Sequence, residues 1–207
     1  MTARAKRAFD LAVGSPISLV CCPVIALLAA ALRIVLGRPV LFSSERIGLH
    51  GEPFQFFKFR TMTNACDDHG HLLPDRDRMT DLGGRLRRFS LDELPQLWSV
   101  LKGDMSLVGP RPLLPEYMPR YTPFQRRRHE VKPGITGWAQ VNGRNGLTWE
   151  QKFELDVWYV DHWSLWLDVR ILWMTLRKVV CGEGISQEGH ATMPEFIRSP
   201  AHSRRDE

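Results

Sequence analysis

The chain has 207 residues, enough for one globular domain with appendages and for a buried core. Its 43% hydrophobic and 25% charged residues exclude a disordered chain. Twenty-eight Lys and Arg against 23 Asp and Glu give a net charge of +5, which excludes a histone-like tail. That charge leaves nucleic acid, anionic membrane and phosphorylated small molecules open as partners. Of the cations 22 are Arg and 6 are Lys. Coding bias would give such a split, and so would repeated use of guanidinium groups on phosphate oxygens. Cysteines at 21, 22, 66 and 181 form no CxxC pair, so neither a zinc site nor a disulfide framework is expected. A reducing, cytosolic setting fits the polar part.

Taken in chain order, the first informative segment runs from Leu11 to Leu32, 22 residues without a charge. That reaches the length needed to span a bilayer and exceeds the apolar core of a signal peptide. Arg4, Lys6 and Arg7 precede it, and Arg33 and Arg38 follow it. Both flanks are cationic, so the positive-inside rule assigns both to the cytoplasm. Pro23 removes a helix hydrogen bond near the middle, and Cys22 before it is pushed out of helical geometry. A broken helix that enters and leaves on one face reconciles these facts. The rival is a bitopic helix with a proline kink.

The polar body starts near residue 40. Val40 to Phe42 and Phe54 to Phe59 predict a hairpin around Gly48-Leu49-His50-Gly51. Residues 64–81 predict loop or short helix, and Asp67-Asp68-His69-Gly70 lacks the spacing of a calcium loop. Leu82 to Phe89 and Leu91 to Leu101 predict helices. Gly109 to Pro115 predicts an extended segment, and Gln125 to Val131 a basic helix or turn. Pro133 to Gly146 reads as glycine-rich with a turn at Asn142-Gly143. Trp149 to Val160 and His162 to Val180 predict helices. On the last of these, Trp163, Trp166, Arg170, Trp173 and Arg177 share one side, the composition of a helix lying on a membrane. Leu165, Val169, Leu172, Leu176 and Val179 form a separate apolar stripe. The expected fold class is α+β and mainly helical. It is a compact cytosolic body with few short strands, a proline-broken N-terminal membrane helix and interfacial amphipathic helices.

Ser90-Leu91-Asp92-Glu93 has the spacing of a capping box, with Asp92 suited to the first helical turn. Pro95 spoils the ideal form, so the helix begins later or bends. The chemical alternative is a pair of adjacent carboxylates, one attacking phosphorus and the other helping to hold a divalent cation. Four cationic islands surround the pair. Lys58 and Arg60 share one face of a strand, and Arg85, Arg87 and Arg88 precede the carboxylates. Arg111 is clamped between Pro110 and Pro112, and Arg144 sits in a tight turn. No Walker A, GxGxxG, HExxH or GxSxG motif occurs. A non-catalytic membrane-surface or nucleic-acid module using Arg126-Arg127-Arg128 is the rival class.

At these residues the chain resembles the bacterial sugar transferases, the monotopic phosphoglycosyl transferases. The matching segments are KFRTM (58–62), SLDELPQLWSVLKGDMSLVGPRP (90–112), KPGITGWAQVNGRN (132–145) and FELDVWYV (153–160). The resemblance implies transfer of a sugar 1-phosphate from a UDP-sugar to a polyprenyl phosphate, usually undecaprenyl phosphate, with release of UMP. It implies a ping-pong reaction through an aspartyl-phosphosugar. Asp92 is then the nucleophile, and Asp92 and Glu93 hold Mg2+. A diphosphate donor needs cations to offset its charge, and Lys58, Arg87 and Arg111 are the first candidates, with Arg60 and Arg144 behind them and Gln140 and Asn142 as further substrate-binding candidates. Cys22 and Pro23 mark the break of a re-entrant helix, with Cys22 where relatives often carry Ser. Residues 1–38 are then the membrane helix, 39–198 the catalytic domain and 199–207 a tail. The body is expected on the cytoplasmic face of a bacterial inner membrane, in contact with lipid and without nucleic acid. Gly184 to Thr192 is similar to the subgroup handling UDP-diacetylbacillosamine; UDP-galactose, UDP-glucose and UDP-GlcNAc are the alternative donors. Asp156 and Asp168 read as either catalytic neighbours or ion-pair partners, the latter preferred.

Overall fold

The computed structural model describes residues 2–143, 146–181 and 196. The tail beyond 198, Arg144 and the Gly184 to Thr192 segment lie outside the described residues.

Helix α1 runs from Ala3 to Val35, 33 residues or roughly 50 Å at the α-helical rise. It is assigned as one helix through Pro16 and Pro23, so Cys22 stays helical, contrary to expectation. Pro16 is a second site where the hydrogen-bond ladder lacks a donor. Two residues on, Ser18 donates back to the Gly14 carbonyl at 2.7 Å, a bond that bends helices.

One side of α1 packs along the body. Val13 and Cys21 touch the main core, while Ile25, Leu28, Ala29 and Leu36 line a second cluster formed by Leu32, Phe59 and Leu86. The opposite side leaves Leu19, Val20, Leu27 and Ile34 exposed. The first turns are fastened by charge. Lys6 Nζ meets Asp168 Oδ2 at 2.6 Å, and Arg7 donates to the carbonyls of Val100 and Leu101 at the end of a later helix. Asp10, 1% exposed, accepts from Ser106 Oγ at 2.9 Å and from the Leu107 amide at 3.1 Å. Asp10→Ala strands both donors in the interior, so we expect a loss of roughly 2–4 kcal/mol in chemical denaturation. A loss under about 0.5 kcal/mol would mean water already satisfies them.

Strands β1 (Leu41–Ile47) and β2 (Pro53–Phe59) pair antiparallel with Leu41 opposite Phe59, as predicted but with a longer β1. The segment 64–81 carries isolated bridges and one turn of helix, α2 (Asp75–Arg78). Helix α3 (Asp81–Arg88) starts at Thr80, whose Oγ1 accepts from Gly83 N at 3.0 Å.

The predicted helix over 91–101 divides. Residues Leu91–Glu93 form a 3-10 turn, and α4 (Gln96–Lys102) starts only after Pro95. No capping box forms. Ser90 adopts φ 54°, ψ 22°, and its side chain makes no capping bond. Proline has no N–H to join a continuous ladder from Leu91, so the chain kinks and restarts.

Two short elements were hidden in glycine- and proline-rich sequence. β3 (Ser106–Val108) pairs parallel with β4 (Gly134–Thr136). A Cβ at Gly134 would lie 2.1 Å from the Gly109 amide nitrogen, so only glycine allows this approach. Between the two strands, α5 (Pro123–Arg126) runs into a 3-10 turn over Arg127–Glu130. Helix α6 (Trp138–Asn142) forms inside the glycine-rich segment and ends at the expected turn, with Gly143 as its C-cap.

Helices α7 (Trp149–His162) and α8 (Leu165–Cys181) match expectation in kind. A capping box at Thr148 and Gln151 starts α7. The buried side of α8 is Leu167, Asp168 and Ile171, not the predicted apolar stripe, of which Val169 and Leu176 are exposed. The main core joins Phe56, Leu97, Val100, Met105, Leu107, Val108, Val141, Tyr159, Leu167 and Ile171. An aromatic cluster of Tyr117, Tyr121, Phe153 and Phe196 lies beside it.

Candidate active site

Asp92 and Glu93 sit on the 3-10 turn between α3 and α4, against β2 and α3. Asp92 is 6% exposed. Burial pushes its carboxyl above the usual aspartate range, and the neighbouring Glu93 charge adds to that. Lys58, Arg87 and Arg111 act in the opposite direction and favour the carboxylate. Three cations therefore face two carboxylates, a small positive excess in a partly closed site.

Each cation is held by a different element. Lys58 projects from the end of β2, with its ammonium 5.3 Å from the Phe42 ring centre. Burial lowers its pKa to about 8, and the Arg87 charge contributes. Arg87 lies on α3 and donates from Nε to Thr61 Oγ1 at 3.0 Å. Burial lowers the Arg87 pKa as well. Gly83 lets α3 approach that threonine, since a Cβ there would lie 2.0 Å from the Thr61 carbonyl oxygen. Arg111 follows β3 in the Pro-Arg-Pro segment, and its Nη2 donates to Glu93 Oε1 at 2.6 Å. About half of the Arg111 side chain is exposed, 48%, so it can also reach a bound anion.

Three of the expected binding residues thus converge on the carboxylates. Arg60 is turned elsewhere. It follows the last residue of β2, and its guanidinium donates to the carbonyls of Leu36 and Arg38 just past α1. The alternation that put it beside Lys58 ends with the strand. Gln140 lies next to the base of the Arg111 loop. A Cβ on Gly137 would touch both the Gly109 carbonyl oxygen, at 2.1 Å, and Gln140 Oε1, at 2.6 Å. Both ends of the Gln140 amide are buried without a hydrogen-bond partner among the described residues. Asn142 is exposed, with Nδ2 donating to the Trp138 carbonyl at 2.8 Å.

Asp156 and Asp168 are ion-pair partners, Asp156 with Arg128 and Asp168 with Lys6. Asp168 also accepts from Tyr159 Oη at 2.7 Å, and burial beside that carboxylate pushes the tyrosine pKa up. The run Arg126-Arg127-Arg128 is not an open basic patch. Arg128 is buried, Arg127 pairs with Asp161 and Glu130, and Arg126 donates to the Met118 carbonyl. Sequence reasoning passed over Thr61 and Arg128. Thr61 lies inside the KFRTM segment, but nothing in its residue type signalled a contact with Arg87.

A pair of adjacent carboxylates, one buried, walled by lysine and arginine, has the charge arrangement that phosphate chemistry requires. The chain belongs to the bacterial sugar transferase family, whose profile matches residues 1–182. It is 58% identical over 196 residues to the uncharacterized sugar transferase EpsL of Bacillus subtilis, covering 94% of this chain and 96% of that one. It is 40% identical to the UDP-glucose:undecaprenyl-phosphate glucose-1-phosphate transferase of Escherichia coli, covering 84% of this chain and 39% of that protein. Identity to the undecaprenyl-phosphate galactose phosphotransferase of Salmonella typhimurium is 36%, over 86% of this chain and 41% of that protein. The chain therefore spans about two fifths of the length of these two relatives named for an activity.

The Lys58 environment yields a pH prediction. The ammonium is charged below about pH 8 and neutral above it. Donor kcat/KM is expected to fall with unit slope as pH rises through that value. Lys58→Arg keeps the charge and should remove this limb. An unchanged limb in that variant would assign it to another group.

Proposed function

We propose that the chain transfers a sugar 1-phosphate from a UDP-sugar to undecaprenyl phosphate or a similar polyprenyl phosphate, releasing UMP. The carrying observation is the buried Asp92 beside Glu93, faced by Lys58, Arg87 and Arg111. An Asp92 carboxylate oxygen attacks the phosphorus that bears the sugar. The bond from that phosphorus to the bridging oxygen breaks, and UMP leaves with that oxygen. The acceptor phosphate then attacks the same phosphorus and returns Asp92 to its free form. A carboxylate and a diphosphate repel, so the site must supply positive charge along the reaction path. Arg111 and Lys58 supply it to phosphate oxygens, and Arg87 does so from the α3 side. Passing the group through Asp92 lets a water-soluble donor and a lipid acceptor use the site in turn.

Asp92 and Glu93 are also the proposed holders of Mg2+. Magnesium is commonly bound by one or two carboxylates, with substrate phosphates and water completing its shell. The two adjacent acids suit that pattern, and no cluster of three or more His, Cys, Asp or Glu able to hold a metal occurs among the described residues. When bound, the ion neutralises diphosphate charge.

The membrane reading rests on α1. Its apolar window has a mean hydropathy of 2.4 and is only 6% buried. Yet Lys6, Arg7 and Asp10 at one end and Leu32 at the other pack on the same body. Anchoring of both ends to one body favours a helix that bends into one leaflet at Pro16 and Pro23 over one that crosses, with the body on the cytoplasmic face of the inner membrane. Exposed Trp98, Trp166 and Trp173 suit the interfacial zone.

Two relatives are named for glucose and galactose transfer. The donor proposed here is an N-acetylated UDP-sugar of the diacetylbacillosamine kind. A panel of UDP-sugars with undecaprenyl phosphate, read by UMP release, tests both points. Sustained UMP release that needs the acceptor, with at most one equivalent in its absence, and only for one donor class supports the reading. No release with any donor would overturn it.

A further inference from the structure

We infer that Asp156 and Arg128 form a positioning pair that sets the Arg111 guanidinium against Glu93. The inference rests on the proposed reaction at Asp92 and extends it to residues that touch no substrate.

The Pro110-Arg111-Pro112 segment has unusual needs. Each proline lacks an N–H, so two of its three residues cannot donate to a neighbouring strand. Its placement depends on what its carbonyls accept. The Pro110 carbonyl accepts from the Gly134 amide at 3.0 Å, which ties the segment to β4. The Arg111 carbonyl accepts from Arg128 Nη2 at 2.6 Å. These two bonds fix the backbone on both sides of the Arg111 Cα, and the side chain leaves from there to meet Glu93 at 2.6 Å.

Arg128 is itself held from α7. Its Nε and Nη2 both donate to Asp156 Oδ2, at 3.0 and 2.7 Å. Its guanidinium carbon lies 5.7 Å from the Phe153 ring centre, one turn earlier on the same helix. The two side chains are 2% and 5% exposed, so water cannot replace either partner cheaply. Arg128 Nη2 thus serves Asp156 and the Arg111 carbonyl together. A chain of contacts runs from Asp156 through Arg128 to the Arg111 backbone, and from the Arg111 side chain to Glu93. A buried ion pair is weak evidence for stability alone. The shared donor to the Arg111 carbonyl is what gives this pair a place in the site.

The test is a double-mutant cycle on the full-length protein in undecaprenyl-phosphate vesicles, using whichever UDP-sugar releases UMP with the parent chain. Asp156→Asn is measured alone, with Arg111→Ala, and beside Arg111→Ala alone. Because second-layer partners typically cost 10–100-fold, Asp156→Asn alone should lower donor kcat/KM by roughly that much. In the Arg111→Ala background the same change should cost less than about twofold, because the group it positions is gone. An equal loss in both backgrounds would overturn the proposal, since a fall in folded fraction multiplies both rates alike. Arg128→Lys serves as a second variant, because one ammonium cannot reproduce the planar fork. It should show the same dependence on Arg111. Asp92→Asn, run in parallel, separates the two layers. Turnover by that variant sinks the reaction reading itself. Its inactivity together with an additive cycle sinks only the positioning pair.

Discussion

Asp92→Asn is expected to lower sugar-phosphate transfer by roughly 10⁴-fold or more, because it removes the oxygen proposed to attack phosphorus rather than a supporting contact. The substitution is nearly isosteric and adds no charge to a site that already holds three cations. It removes a buried charge and its repulsion with Glu93, which together outweigh the lost attraction to Lys58, Arg87 and Arg111, so the fold should hold or gain slightly in stability. The expected pattern is therefore a protein that denatures like the parent, embeds in vesicles like the parent and does not turn over. Loss of activity with loss of folding would carry no weight, so denaturation midpoints must be measured beside the rates.

Arg111→Ala is the second large effect. Removing one preorganised charge from a site where negative charge develops costs about 10²–10³-fold. Two consequences add here. The proposed diphosphate substrate loses a guanidinium, and Glu93 loses the partner that holds its carboxylate at 2.6 Å. A released Glu93 raises the Asp92 pKa further through like-charge repulsion. Donor kcat/KM should therefore fall by at least that factor, while stability changes little, since half of the side chain is in solvent. Arg111→Lys should restore only a minor part, because a point charge cannot satisfy Glu93 and a phosphate in the same fork. Full restoration by lysine would mean that Arg111 acts through net charge alone.

Long periodic elements were legible in the sequence. The hairpin followed from alternating Phe residues around a glycine turn, and α1, α7 and α8 from their apolar content. The parallel β3 and β4 pair was not legible, because each strand is three residues long and its partner lies 28 positions away. The inward side of α8 was misjudged for a different reason. Counting apolar residues favours the Leu165 and Val169 stripe, yet the helix buries Asp168, whose charge is met by Lys6 from α1. A partner so distant in sequence leaves no local pattern. The capping box failed through Pro95, which broke the helix that Ser90 would have capped.

In the site, Lys58, Arg87 and Arg111 were recognisable as cations near the carboxylates, and the structure brings all three to Asp92. Arg60 was not separable from them by sequence, since strand alternation holds only within the strand. Arg128 was hidden in a run of three arginines that looked like one surface patch. Only packing divides that run into a buried residue and two on the outside.

The central claim is that the sugar phosphate passes through Asp92. The most direct measurement is intact-mass and peptide mass spectrometry after mixing the protein with a UDP-sugar in the absence of acceptor, followed by a rapid acid quench. The account predicts a phosphosugar adduct on the peptide bearing Asp92, one equivalent of UMP, and discharge of the adduct when undecaprenyl phosphate is added. UMP formed only when acceptor is present, with no adduct on Asp92 at any time, would contradict it.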